Sequence, residues 1–192
     1  MRLFVLLALS IGLAKPKAVV FSRNPGPGSS TVLAQAHTPV PSITQATLDQ
    51  YRDQYDQSPV CTKDELTLWH CETNKRVFSL CSSQTATRTT GYLQYRASTA
   101  GKVTLTYPAA KVPPLGLFKY DSTSNGNASI EFTNEGYRYS LLDPLRDKSF
   151  IVVTAPGASG KKTEIACTGP NQTLQLNYTL RLMHEFGISA DD

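Results

Sequence analysis

The stretch WHCETNKRVFSLC, Trp69 to Cys81, gathers a histidine, an acid, a serine and two cysteines. His70, Ser79 and Glu72 are the residue types of a base, a nucleophile and an orienting carboxylate, while Cys71 and Cys81 could form a redox pair, a metal site or two separate staples. Local geometry decides among these. LTLWHC and RVFSLC read as two arms of a hairpin turning through Thr73 to Arg76. With Asn74 and Lys75 as the central residues, His70 faces Ser79, Cys71 faces Phe78, and Cys81 lies opposite Leu68. Side chains alternate between faces along a strand, so Cys71 and Cys81 point to opposite sides of the sheet and do not bond to each other. A three-residue turn reverses the faces but still leaves the two apart. That favours Cys71–Cys167 with Cys61–Cys81, or the swapped arrangement, each bridge contributing roughly 2–4 kcal/mol through loop closure.

Other chemistry is sparse. His37, His70 and His184 are isolated and lack the paired spacing of a zinc ligand set. There is no nucleophile elbow, phosphate loop or dinucleotide fingerprint, so no cofactor or metal is expected and His70–Ser79 reads as a polar cross-strand pair. Two aromatic and basic stretches remain, GYLQYR at 91–96 and GYRYS at 136–140. Tyr92, Gln94 and Arg96 share one strand face with Leu93 and Tyr95 on the other; Tyr137 and Tyr139 share a face opposite Arg138. Tyrosine and arginine anchor many protein interfaces, which makes Tyr92, Arg96, Tyr137 and Arg138 the candidate binding residues. The net charge of +4 is spread without a cluster, which argues against nucleic acid as partner. Asn-x-Ser/Thr triplets begin at Asn127, Asn171 and Asn177; they would accept glycans only in a eukaryotic secretory pathway.

Met1 and Arg2 precede the apolar run LFVLLALSIGLA, which has the length of an export signal and is too short to span a bilayer. Residues 1–14 are therefore read as a signal peptide, with cleavage after Ala14 or Ala36. Residues 15–42 are rich in Pro, Ser, Gly and Ala and read as a flexible leader. Residues 43–192 form one domain, opening with a short amphipathic helix that places Leu48, Tyr51 and Tyr55 at helical offsets. From Glu65 the period changes to two, with strands expected at 65–71, 76–81, 91–97, 102–107, 116–120, 128–133, 136–142, 149–154 and 162–167. Many short strands without long intervening helices predict a mainly β fold, an antiparallel sandwich or barrel with short N- and C-terminal helices. After Cys167 the sequence predicts an extended piece to about Tyr178 and a helix from about Thr179 to Phe186, closed by Gly187.

CETNKRVFSLC, GYLQYR, IEFTNEGYRYSL and the late cysteine together resemble a group of small exported proteobacterial proteins that carry no assigned function. Cys71, Lys75, Ser79, Cys81 and Tyr92 to Arg96 match, over about residues 61 to 192. More distantly, the chain is similar to the membrane-bound inhibitors of c-type lysozyme, which are small antiparallel barrels. That resemblance implies a Cys71–Cys167 bridge and places Gly136 to Tyr139 near the inhibitory loop. The chain departs from it in carrying Asn-Glu-Gly-Tyr-Arg-Tyr where those inhibitors have a Ser-Ala-Ser-Gly-like run, and no cysteine follows the apolar run to take a lipid. The expectation is an exported, periplasmic or secreted binding protein without catalytic activity. Its partner would be an envelope or extracellular protein, without nucleic acid and without stable membrane insertion after signal removal. Lysozyme or hydrolase inhibition and an envelope structural role are the alternatives.

Overall fold

Period-two alternation and turn-forming residues divide the chain into strands, and a computed structural model describes residues 57–123, 126–168 and 175–190. The expected signal peptide, leader and N-terminal helix lie outside the described residues. Among the described residues there are nine strands, one for each segment expected: β1 (Glu65–Glu72), β2 (Arg76–Ser83), β3 (Leu93–Thr99), β4 (Lys102–Tyr107), β5 (Lys119–Ser122), β6 (Ala128–Asn134), β7 (Tyr137–Asp143), β8 (Phe150–Thr154) and β9 (Lys162–Ala166). They form two antiparallel meanders, β1-β2-β3-β4 and β5-β6-β7-β8-β9.

The inner rows of the two sheets make one core. Trp69, Leu80, Tyr95 and Tyr107 are cross-strand neighbours in the first sheet. Phe132, Tyr139 and Val153 form a row in the second, beside Tyr120, Ile130, Leu141 and Ile151. The rows meet through aromatic rings: Tyr107 stacks on Phe132 at 4.6 Å, Phe132 on Tyr139 at 4.8 Å, and Tyr95 lies 4.9 Å from Phe132. These tilted and stacked contacts add to the stabilisation from area burial. The architecture is a β-sandwich.

Turn chemistry sets the register. Asn134 pairs with Tyr137 across Glu135 and Gly136, both at positive φ, 50° and 79°. This is the two-residue turn whose twist matches that of the flanking strands, and glycine enters its second position without a Cβ penalty. Ala100 and Gly101 repeat the arrangement between β3 and β4. In the first hairpin His70 pairs with Ser79 and Cys71 with Phe78, as the two-residue turn requires. Cys81 pairs with Thr67, not Leu68, because a bulge between Thr67 and Trp69 inserts one residue into β1. Its effect is large: Glu65, Thr67, His70 and Glu72 share the outer face, although strict alternation would separate the first two from the last two.

Strand bounds also move, among them the starts of β3 and β5. β3 begins at Leu93 and β5 at Lys119; Gly116, at φ 75°, lies in a turn that precedes β5. The C-terminal piece expected to be extended is helical where it is described, with α1 (Gln175–Tyr178) and α2 (Leu180–Glu185). The reason is periodicity: Leu176, Leu180, Met183 and Phe186 turn one side to the core, and the 3–4 spacing outweighs the alternation of leucines. Gly187 closes α2 as expected, at φ 65°, with its N–H bonded to the His184 carbonyl and the Ile188 N–H bonded to Met183. Residues beyond it add a parallel bridge, Tyr120 to Ser189, along the free edge of β5.

Two disulfides staple the sandwich, Cys71–Cys167 and Cys61–Cys81, with Cα separations of 5.3 and 5.5 Å. The first joins the inner face of β1 to the residue that follows β9. The second holds the segment before β1 against the outer face of the first sheet. No described helix is long and apolar enough to cross a membrane.

Candidate functional site

The outer face of the first sheet carries most of the chemistry. Segment 57–62, tied by Cys61, crosses it from one side, and 108–111 crosses from the other. Both meet at Glu65, which the bulge brings to this face. Glu65 is 3% exposed. Its Oε2 accepts from the Thr62 N–H (2.7 Å) and Arg96 Nη1 (2.6 Å), and its Oε1 accepts from Arg96 Nη2 (2.7 Å) and the Tyr92 hydroxyl (2.6 Å). Lys111 Nζ stands 3.5 Å from Oε1 and donates to the Tyr92 oxygen. Arg96 also donates to the Val60 carbonyl and to Gln94 Oε1, while Gln94 donates to the Pro108 carbonyl. Burial alone would raise the Glu65 pKa. Hydrogen bonds from Arg96, Tyr92 and the Thr62 backbone, with the Arg96 charge, outweigh it and hold the carboxyl at about 2.

Tyr92 and Arg96, two of the candidate binding residues, thus converge on one carboxylate. Their polar groups bind the two crossing segments to the sheet. Glu65 gave no sequence signal, since its face depends on a bulge.

The enzyme candidates also come together. Ser79 Oγ is 3.0 Å from His70 Nδ1, and His70 Nε2 donates to Glu72 Oε1 at 3.0 Å. Serine, histidine and carboxylate are therefore linked in order, as nucleophilic catalysis requires. Access is the difficulty. Ser79 has no solvent exposure, and its Oγ lies 2.6 Å from Ser58 Oγ and 2.7 Å from the Phe78 carbonyl oxygen. Ser58, on the segment held by Cys61, is itself buried and covers that hydroxyl. Among the described residues one grouping of metal-ligand types occurs, Cys61, Glu65 and Cys81; its sulfurs are bonded to each other and its carboxylate is engaged by Arg96.

Tyr137 and Arg138 lie on the second sheet, away from this face. Tyr139 points inward to Tyr95, so Arg138 projects outward, and Arg96 projects from the outer face of the opposite sheet. The structure does not bring the four candidates to one surface. Tyr137 is 42% exposed. Arg138 lines a pocket of about 310 Å³ with Tyr107, Gly116, Leu117, Phe118, Lys119, Glu131, Phe132 and Thr133. Its apolar wall is built by the connection between β4 and β5, and its polar wall by the outer face of β5, β6 and β7, where Lys119 pairs across strands with Glu131 and Thr133 with Arg138. Arg138 was a candidate from sequence, whereas Leu117, Phe118 and Lys119 fell in a stretch expected to be a strand from 116; a turn before β5 instead sets them beside Arg138. A second depression, of about 580 Å³, is lined by Asn127 and residues 144–147.

Comparison with protein-family models, with curated proteins and with solved structures finds no match to this chain.

Proposed function

We propose that this chain is an exported, disulfide-stapled binding protein of the envelope or extracellular space that acts without catalysis, through the hairpin that carries Tyr137 and Arg138 and the pocket that Arg138 lines. One observation carries the reading: the arginine and tyrosine on the second sheet are exposed and the arginine lines a pocket, whereas the linked serine, histidine and glutamate on the first sheet have a nucleophile covered by Ser58. Two disulfides and a short apolar run after a charged start support an oxidising, periplasmic or secreted location. A protein partner fits the residue types, since aromatic and arginine side chains dominate interface energetics.

Lysozyme inhibition is the second reading, favoured by the Cys71–Cys167 bridge that the resemblance to those inhibitors implies. The test is a pull-down of the mature domain against envelope extract, run beside a c-type lysozyme assay and repeated with Tyr137→Ala and Arg138→Ala. The first reading expects a stoichiometric partner that both substitutions weaken. Lysozyme inhibition that the same substitutions abolish would establish the second. Turnover of a hydrolase substrate that Ser79→Ala removes would overturn both.

A further inference from the structure

The pocket at Arg138 has an asymmetry that names the chemistry of its occupant. One wall is apolar: Leu117 is half-buried, and behind it Tyr107, Phe118 and Phe132 pack as an aromatic cluster with ring separations of 4.6 to 5.6 Å. The other wall carries Lys119 from β5 and Arg138 from β7, flanking β6. Both cations are exposed, and neither takes part in an ion pair among the described residues. The single acid between them, Glu131, accepts a hydrogen bond from the Ser140 hydroxyl at 2.6 Å. The wall therefore offers two cations against one carboxylate, a net positive charge beside an apolar surface, in a volume that holds one side chain of aromatic size.

We propose that this pocket takes a carboxylate carried on an apolar or aromatic body, presented by the protein partner as an acidic residue or chain terminus next to a large apolar side chain. The inference rests on the binding role proposed above and adds the partner's chemistry. Arg138 and Lys119 receive the carboxylate, the guanidinium by paired N–H groups and the ammonium as a point charge. The apolar body packs on Leu117 and the edge of the aromatic cluster. Glu131 opposes the anion, so the site selects for an apolar group that brings its charge to the Lys119 and Arg138 side.

The probe is N-acetylphenylalanine, with its uncharged amide as control, titrated into the oxidised domain while backbone and ring resonances are followed by NMR. The expected result is saturable shifts confined to Tyr107, Gly116 to Lys119, Phe132 and Arg138, with the amide bound about tenfold more weakly, as loss of a charge-assisted contact implies. Lys119→Gln and Arg138→Gln should each weaken the acid and leave the amide unchanged. Glu131→Gln should strengthen the acid. These side chains are exposed or half-buried at the surface, and an unchanged unfolding midpoint confirms that each variant folds. Equal binding of acid and amide, shifts elsewhere on the sandwich, or no binding at all would overturn the assignment. A partner captured in the pull-down would still leave the binding role standing, so the two failures are distinguishable.

Discussion

Glu65→Gln is the substitution whose effect is most tightly set by the structure. It removes the negative charge from a carboxylate that accepts four hydrogen bonds and leaves the Arg96 guanidinium, 8% exposed, without its counter-ion. Breaking one partner of a buried pair costs about 3–5 kcal/mol, because the remaining charge is desolvated and uncompensated. The acid limb gives an independent figure. Glu65 titrates at about 2 in the folded chain against an ordinary 4.5. A depressed carboxyl contributes stability above its unfolded pKa and loses it as pH falls, here from about 4.5 through about 2, by up to roughly 3 kcal/mol. Urea unfolding followed by emission from Trp69, the lone tryptophan and fully buried, measures both. The unaltered protein should exceed Glu65→Gln by about 3 kcal/mol at pH 7, and the gap should close toward pH 2. A double variant with Arg96→Met should recover part of the loss, because both charges leave together. A difference below about 1 kcal/mol at neutral pH, or the same acid dependence in both proteins, would refute the assignment of Glu65 as the tie between the crossing segments and the sheet.

Loop closure over 96 residues makes replacement of Cys71 and Cys167 by alanine cost about 4–5 kcal/mol, and closure over 20 makes the Cys61 and Cys81 pair cost about 3; denaturant midpoints of the two double variants rank them. Trp69 Nε1 is buried without a hydrogen-bond partner. Trp69→Phe removes an unsatisfied donor while leaving a cavity, so calorimetry should find a net loss of only about 1 kcal/mol instead of the larger cost usual for shrinking a core aromatic. Glu135 holds a left-handed conformation that asparagine adopts more readily, and Glu135→Asn should raise the melting midpoint with a gain of about 0.5–1 kcal/mol.

The strands were legible because their signal is local. Ile130 and Phe132 alternate toward the core opposite Tyr139 and Leu141, and the Glu135–Gly136 turn fixes which residues face each other. Cys71 and Cys81 point to opposite faces despite the bulge, because the bulge lies on the far side of Cys71 from the turn. Glu65 was hidden for the complementary reason: one inserted residue inverts every face before it, and no residue type at 67–69 announces the insertion. Gln175 to Tyr178 misled because leucines spaced by two coincide with a 3–4 pattern that becomes visible only when Met183 and Phe186 are included. The Arg138 pocket depends on a loop that crosses between sheets, and sequence spacing carries no information about where such a loop lands.

The proposed role stands on the second sheet, and partner capture by three forms of the oxidised domain tests it most directly. The unaltered domain and Ser79→Ala should retain the same envelope partner at equal stoichiometry, while Arg138→Ala should lose it. Capture that survives Arg138→Ala, or a hydrolytic activity that disappears with Ser79→Ala, would contradict the account and return the serine, histidine and glutamate of the first sheet to the centre of the function.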